Sequence, residues 1–551
     1  MTYKERLADW LSWADEKTKK ELQAITDEKE LEDRFYKDLE FGTAGLRGIM
    51  GAGSNRMNSY TVGRATKGLA DYLTALYREE LSRGVVIAYD SRLHSREFAE
   101  EAARVLCAAG IPVRIFKELE PIPVLSFSVK HFQALAGIVI TASHNPKEYN
   151  GYKVYGPNGA QLVPADADRL TSYVNAVTDL AHIPKTGHET LLTWLGEDTV
   201  EEYLKAAFAQ SIYKGNPPPL SIVYTPLHGS GNKPVRALLK MAGFDQAAVV
   251  QEQEQPDGHF PTVRSPNPED HAALALGIAL AEKNGADIVI GTDPDSDRIG
   301  AGVRDGDHFV LISGNQMGAL LVHFLLTMKK DELTPASTIV KTVVTGELGA
   351  DIARSKGVKV EETLTGFKYI GEKISQYEKD PAHDFLMGYE ESYGYLAGTH
   401  AQDKDAVVTA MLIAEMAAWY KKQGMTLADG LRALYQQYGY CLDKLTSYTL
   451  KGKTGLEKIQ ASMTALRQED ARSIIPDIVK VLDFEQGIQG LPKENVLKFI
   501  LTDGSWMAVR PSGTEPKIKI YYSLKGKGEE DAMARFDRYR NIWEAHLGLH
   551  D

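Results

Sequence analysis

Leu135-Ala136-Gly137-Ile138-Val139-Ile140, followed at once by Thr141-Ala142-Ser143-His144-Asn145-Pro146, is the stretch from which the fold can be read. An apolar run rich in β-branched residues, cut off by small and polar residues and a proline, predicts a buried strand feeding a loop. Ser143 then lies just past the strand end. In open α/β sheets ligands gather at that edge, so a hydroxyl there, with an imidazole and an amide beside it, is a candidate nucleophile. A turn or helix-capping serine is the plainer alternative, and only the rest of the chain decides between them.

Working outward, the same pattern recurs three times. Each unit opens with a strand (Val85 to Asp90, Leu220 to Tyr224, Thr338 to Val343), then runs through an amphipathic helix to a glycine and a second strand at Gly110, Gly243 and Gly357. Each closes on a third strand ending in a polar loop: Ser143 in the first, Asp293-Pro294-Asp295-Ser296-Asp297-Arg298 in the second, Gly388-Tyr389-Glu390-Glu391-Ser392-Tyr393-Gly394 in the third. Strand-helix-strand-helix-strand units predict three topologically similar α/β domains with mixed sheets. From about Gly439 the texture changes to helices (Gly455 to Gln468, Gly528 to Leu547) around short strands, a smaller α+β domain. The expected boundaries are 1–190, 191–308, 309–435 and 436–551, with the loops converging on a central cleft.

At 551 residues the chain is too long for one core, and 43% hydrophobic with 25% charged residues suits a soluble enzyme. A formal charge of −12 argues against a nucleic-acid partner, although local Arg and Lys clusters still allow anionic ligands. Cys107 and Cys441 are too far apart in sequence for a disulfide framework or zinc cluster, which suits the cytoplasm. Met1 to Ile25 reads as one charged surface helix rather than a signal peptide, and the longest apolar stretch, around Gly318 to Met328, is too short to span a membrane.

Four clusters carry chemistry. Asp293, Asp295 and Asp297, at spacing two in a turn, can aim their oxygens at one hard cation, Mg²⁺ or Ca²⁺ rather than zinc. An EF-hand is ruled out because Arg298 and Arg304 occupy its Gly and bidentate Glu positions. Phe41 to Gly51 is a Gly-rich loop in which Arg47 can fork onto a phosphate. Lys153, ten residues after Ser143, is a candidate proton carrier. Glu390 and Ser392 offer an acceptor and a donor to sugar hydroxyls, and Arg510, Ser512, Gly513 and Thr514 combine a guanidinium fork, hydroxyls and open backbone suited to a phosphate dianion.

Thr-Ala-Ser-His-Asn-Pro, Asp-Pro-Asp-Ser-Asp-Arg, Gly-Tyr-Glu-Glu-Ser and Arg-Pro-Ser-Gly-Thr, in this order between Gly42 and Lys517, resemble the signature loops of the α-D-phosphohexomutase superfamily, and within it the phosphoglucomutase/phosphomannomutase family. The resemblance implies that Ser143 is a phosphoserine with His144 beside it in the catalytic set, and that Asp293, Asp295, Asp297 and the serine phosphate hold Mg²⁺. It implies further that Arg298 and Arg47 steady the phosphoryl group, that Glu390 and Ser392 bind the sugar, and that Arg510, Ser512, Gly513 and Thr514 hold the other phosphate. The loop Thr365-Gly366-Phe367-Lys368 falls where the family reads sugar orientation, which places Gly366 and Lys368 in the substrate set. One departure stands out. Dual-specificity members carry a His two residues after the Ser of the sugar loop, where this chain has Gly394; the glucomutase-like branch has instead a later His and a Lys-Asp pair, here His400 and Asp403-Lys404-Asp405, which makes Lys404 a second proton-transfer candidate.

The implied activity is interconversion of glucose 1-phosphate and glucose 6-phosphate through a glucose 1,6-bisphosphate that turns over in the cleft, helped by a hinged fourth domain. The implied partners are a small phosphosugar and, at most, a second copy of the chain (monomer or homodimer), with no membrane. A phosphopentomutase or phosphomannomutase is the alternative within the family. A Mg-dependent sugar phosphatase is the alternative outside it, though a second phosphate cradle at Arg510 serves no purpose there.

Overall fold

The computed structural model describes residues 1–42, 45–187, 189–450, 452–512 and 517–549. It divides into two units, Met1–Ser313 with Phe367–Thr426, and Gly314–Gly366 with Leu427–Asp551. In the first unit, strands β1 (Leu46–Ile49), β2 (Val85–Tyr89), β3 (Val113–Phe116), β4 (Ala136–Ile140), β5 (Tyr149–Tyr155) and β6 (Leu192–Leu195) form a sheet in the order β1-β5-β4-β2-β3-β6. β2 pairs in parallel with both β3 and β4, and every residue of β2 and β4 is buried, as near-continuous apolar runs require when helices cover both sheet faces. β5 returns antiparallel to β4 and β1 antiparallel to β5, so the sheet is mixed.

The second repeat builds the same arrangement. Strands β7 (Ile222–Thr225), β8 (Ala248–Val249), β9 (Ile288–Thr292), β10 (Ile299–Asp305) and β11 (His308–Ile312) lie in the order β11-β10-β9-β7-β8, with β7 parallel to β8 and β9. Its second strand is shorter and later than the expected start at Gly243. Gly243 instead closes the helix Asn232–Met241: its φ is +92°, and the N–H of Phe244 donates back to the Leu239 carbonyl at 2.9 Å, a helix stop that only glycine adopts without strain. The third repeat follows the same element order, strand Ser337–Thr342, helix Leu348–Ser355, strand Lys359–Thr363, helix Phe367–Tyr377 and strand Asp384–Glu390. The last of these pairs antiparallel with Gly394–Ala397 in the first unit.

The expected single N-terminal helix is two, Tyr3–Trp13 and Glu16–Ala24. Asp15 is extended (ψ 162°) and its carboxylate accepts the Thr18 N–H at 2.8 Å, so it starts a new helix rather than continuing the old one. The break lets Trp10 and Leu22 bury together against Phe35 and Ala52.

In the second unit, Ser337–Thr342 pairs in parallel with Lys359–Thr363. The C-terminal segment is an antiparallel five-stranded sheet in the order Tyr440–Thr449, Lys517–Gly526, Trp506–Pro511, Leu497–Leu501, Ile478–Asp483. The helix Glu529–Leu547 covers it with Phe536, Tyr539, Trp543 and Leu547, whose three- and four-residue spacing makes one apolar stripe. Trp543 packs 5.0 Å from Phe499, centroid to centroid.

A charged cluster sits inside this unit. Buried Lys341 donates to Glu347 at 3.0 Å and to Glu362 at 2.8 Å, and buried Lys498 lies 3.6 Å from Glu362 and 4.3 Å over the Trp506 ring. Burial, and then the neighbouring Lys341, push the Lys498 ammonium down from 10.5 to about 8, with Glu362 and Glu347 opposing. Between those values the unfolded chain holds this proton and the folded one does not, so Lys498 makes stability rise with pH across the window and costs stability below it. Lys498→Met is therefore expected to flatten the rise in denaturation midpoint between about pH 8 and 10.5 relative to the unmodified protein, read by urea titration at stepped pH; an unchanged slope would contradict the shift.

Candidate active site

Three loops of the first unit meet around one group of carboxylates, and each bends through a non-glycine residue in the left-handed region: Ser143 (φ +51°) after β4, Ser296 (φ +51°) after β9 and Tyr393 (φ +65°) in the third. Such conformations cost on the order of 1–3 kcal/mol and persist only where surrounding bonds hold them. Main-chain bonds supply this for the second and third loops: Ile122 N–H donates to the Asp295 carbonyl, Ile299 N–H to Tyr393 and Ala406 N–H to Ser296, at 3.0, 3.1 and 3.1 Å.

Asp293, Asp295 and Asp297 are all buried, and each offers a carboxylate oxygen within 4.8 Å of the others. Arg298 N–H and Asp297 N–H hold one oxygen of Asp293 at 2.9 and 3.1 Å, while its other oxygen accepts the Ser143 hydroxyl at 2.7 Å. One oxygen each of Asp295 and Asp297 is buried without a hydrogen-bond partner among the described residues. Such atoms are what a hard cation requires, so the residues fit a divalent metal. Burial, and then Asp295 and Asp297, push the Asp293 carboxyl well above the usual carboxylate range. For Asp297, burial acts in the same sense, but Lys404 and Lys153 outweigh it and hold its carboxyl well below that range.

Lys153 and Lys404 both reach this group, and both lie near the same oxygen of Asp297. The β4–β5 hairpin sets Lys153 beside Val139, so its Nζ lies 3.0 Å from Asp295 and 3.8 Å from Asp297. Lys404 Nζ lies 3.1 Å from Asp297 and 3.1 Å from Asp403, and Asp403 in turn accepts from Tyr155 and Gln161 at 2.8 and 2.9 Å. Burial alone lowers the Lys404 ammonium, yet Asp297 and Asp403 raise it well above the ordinary lysine range. The glycine at 394 has a steric explanation: a Cβ there would sit 2.1 Å from Lys404 Cδ, so the lysine stem occupies the space a side chain would need. Gly394 lies opposite Glu390 in the hairpin, which leaves only Glu391, Ser392 and Tyr393 as the turn, shorter than the glycine-bounded loop expected. His400 and Asp405 face elsewhere. Asp405 caps the helix Ala406–Lys422 through the Val408 N–H and is held by His400 and Tyr203 at 2.8 and 2.9 Å.

His144 Nδ1 is 3.1 Å from Ser143 Oγ, and burial, then Arg298, drive its imidazole well below 6.5, which leaves it neutral. Arg298 pairs with Glu269 at 2.6 Å. Arg47 was expected in a loop but lies on strand β1, exposed, in register with Gly151. The loop is tightened into a strand because Gly45 (φ +86°) lets the chain pass so close to Tyr152 that a Cβ would be 2.0 Å from its carbonyl oxygen. Lys368 is in the first turn of the helix Phe367–Tyr377, and Ser392 is half-buried. In the second unit Gly366 has φ +118°, Arg510 is paired with Glu494 at 2.8 Å, and the Ser512 N–H donates to the Lys517 carbonyl at 2.8 Å. Gly513 and Thr514 lie outside the described residues. Glu494 was not anticipated from sequence, nor were Asp90 and Arg92 after β2. The latter pair stands at the carboxyl end of a parallel strand, and that position was the available signal.

Four family models match the chain in order: phosphoglucomutase/phosphomannomutase α/β/α domain I over residues 38–180, domain II over 201–306, domain III over 313–438 and the C-terminal domain over 455–537. A Staphylococcus saprophyticus protein named phosphoglucomutase is 36% identical over 548 residues, covering 96% of this chain and 98% of that one. A Staphylococcus aureus protein of the same name is 38% identical over 546 residues, covering 96% and 97%. Among solved structures, the open form of Paramecium parafusin, a phosphoglucomutase, has a TM-score of 0.72 at 18% identity, covering 94% of this chain and 97% of that one. A Burkholderia thailandensis phosphoglucomutase/phosphomannomutase family protein has a TM-score of 0.67 at 20% identity, covering 93% and 98%. The fold is shared with the two solved structures, and the sequence likeness to the staphylococcal proteins runs nearly end to end, so the chain belongs to the phosphoglucomutase/phosphomannomutase family of phosphosugar mutases.

Proposed function

We propose that this chain interconverts glucose 1-phosphate and glucose 6-phosphate, with Ser143 as the residue that carries the phosphoryl group. The observation that carries this reading is the Ser143 hydroxyl 2.7 Å from Asp293 in a buried group of three carboxylates with two lysines against it. The name shared by the staphylococcal relatives supports glucose as the sugar.

In the proposed step the bond between Ser143 Oγ and phosphorus breaks as a bond from the free sugar hydroxyl to phosphorus forms, yielding glucose 1,6-bisphosphate. Lys404 or Lys153, as an ammonium, would give a proton to Ser143 Oγ as that bond breaks and take the sugar hydroxyl proton in return. The return step is the reverse with the other phosphate, after the intermediate has turned. Asp293, Asp295 and Asp297 would hold Mg²⁺, which when bound neutralises charge on the phosphoryl oxygens. Arg298 and Arg47 would steady the same group, and His144, held neutral, would stand beside Ser143 Oγ. Glu390, Ser392, Gly366 and Lys368 would read the sugar, and Arg510 with Ser512, Gly513 and Thr514 the phosphate that does not react. Between the two lysines, the stem of Lys404 over Gly394 favours Lys404: it occupies the space that a side chain at 394 would need.

The domain limits 1–190, 191–308, 309–435 and 436–551 belong to this reading; the matched ranges support them, with the third ending at 438, just past 435. A cytoplasmic setting fits two cysteines that are both unpaired. No helix among the described residues is long and apolar enough to cross a membrane.

The test is a phosphorus NMR time course with Mg²⁺ and catalytic glucose 1,6-bisphosphate, offering glucose, mannose and ribose 1-phosphates in parallel. Glucose 6-phosphate is expected to appear fastest, whereas faster ribose 5-phosphate or mannose 6-phosphate would reassign the sugar, and free phosphate alone would replace the mutase with a phosphatase. In the same assay Ser143→Ala should abolish turnover while glucose 6-phosphate binding by calorimetry persists; an active variant would remove Ser143 from the mechanism. Gly394→Ala places a Cβ in the path of the Lys404 stem, so kcat is expected to fall by roughly 10²-fold or more with the protein still folded. Wild-type kcat in that variant would show that Lys404 is not the proton carrier.

A further inference from the structure

The loop bearing Ser143 is gripped by a side chain that touches none of the reacting groups. Arg92, 3% exposed, donates through Nη1 to the carbonyls of Pro146 and Tyr149, at 3.0 Å each, and through Nη2 to those of Ser143 and Asn145. One guanidinium thus takes up carbonyls along the whole of the turn from 143 to 149. Its planar fork suits this task, since it presents several donors in fixed directions where an ammonium presents them from a single point.

The other end of the Ser143 residue is held by the partner of the same arginine. Asp90 accepts the Arg92 N–H at 2.9 Å and the Ser95 hydroxyl at 2.7 Å with one oxygen, and the Thr141 hydroxyl at 2.6 Å with the other. Thr141 Oγ1 then accepts the Ser143 N–H at 2.8 Å. Asp90 and Arg92 form an ion pair at 3.4 Å with both side chains fully buried. The N–H and the carbonyl of Ser143 are therefore both fixed by this pair, one through Thr141 and one directly, and the residue between them is the one at φ +51°.

The second repeat closes the far side. The Phe260 ring lies 5.1 Å from the Arg92 guanidinium carbon, and Gly258 packs so tightly on the Ser91–Leu93 turn that a Cβ would be 2.4 Å from the Leu93 nitrogen. The guanidinium can neither swing out to solvent nor trade its carbonyls for water.

We propose that Arg92 is a positioning residue for the phosphoryl-carrying serine: together with Asp90 it holds Ser143 in its strained conformation, so that Oγ is aimed at the carboxylate group before substrate arrives. This rests on the reading of Ser143 as the phosphoryl carrier. A purely structural role would alter stability alone, whereas a positioning role alters the rate of phosphoryl transfer in a folded protein.

The experiment follows transfer of the phosphoryl group from glucose 1,6-bisphosphate to dephosphorylated protein by intact mass, with thermal unfolding measured on the same samples. Labelling of the unmodified protein at a residue other than Ser143 would overturn the nucleophile reading itself, separately from the present inference. With Ser143 labelled, Arg92→Lys is expected to slow labelling by about 10²-fold, with KM for glucose 1-phosphate little changed. Methylguanidinium is expected to restore part of the rate in Arg92→Ala, and methylammonium is not. Labelling of Arg92→Lys within about twofold of the unmodified rate, or equal restoration by both cations, would overturn the inference. Should Arg92→Lys fail to fold, the isosteric Asp90→Asn decides: slowed labelling is expected, and an unchanged rate overturns it.

Discussion

Buried negative charge, crowded into one loop, is the constraint on which the rest of this molecule depends. Asp293, Asp295 and Asp297 would be untenable in an apolar interior without compensation, because desolvation and mutual repulsion both disfavour ionisation. The first unit answers with Lys153 from the β4–β5 hairpin, Lys404 from the segment ahead of the helix Ala406–Lys422, and Arg298 next in the chain. The two lysines come from separate segments of the unit, Met1–Ser313 and Phe367–Thr426, and neither would have reason to be buried without the carboxylates. Burial of each charged group is thus conditional on burial of the others, and the three loops must be folded together for any of them to be stable.

Phosphoryl transfer asks for this kind of arrangement. There is little covalent work for the protein to do beyond placing a nucleophile, neutralising charge and moving one proton, so most of the catalytic advantage is built during folding. The left-handed residues at 143, 296 and 393 record the cost: each loop is bent where an unconstrained chain would relax, and each is held by hydrogen bonds from a neighbouring segment. Arg92 is the clearest case, a fully buried cation paired with Asp90 and donating to the backbone carbonyls of the Ser143 loop.

Much of the fold was legible in the chain. The apolar runs at Val85–Tyr89 and Ala136–Ile140 marked strands, and the stretch from Gly528 to Leu547 read as a helix, which the structure bears out as Glu529–Leu547. The misplacements came where a local cap outweighed periodicity. Asp15 splits what reads as one amphipathic helix, Gly243 ends a helix where a strand was expected, and Gly45 draws a glycine-rich stretch into the sheet edge so that Arg47 stands on a strand. In each case a single residue makes the deciding contact with a backbone group, and the hydrophobic period around it does not mark where that contact falls.

The sequence by itself determined the repeat, the strand ends and the identity of the acidic turn, because these depend on residues close together in the chain: hydrophobic period, glycine and proline punctuation, and carboxylates two apart. Only the tertiary structure decided which distant side chains complete that turn. Lys404 lies more than a hundred residues from Asp297, Arg92 grips carbonyls about fifty residues away, and the emptiness of Gly394 makes sense only once the lysine stem is seen lying across it. Such pairings are settled by packing geometry and by the need to neutralise buried charge, and neither is a property of any short segment.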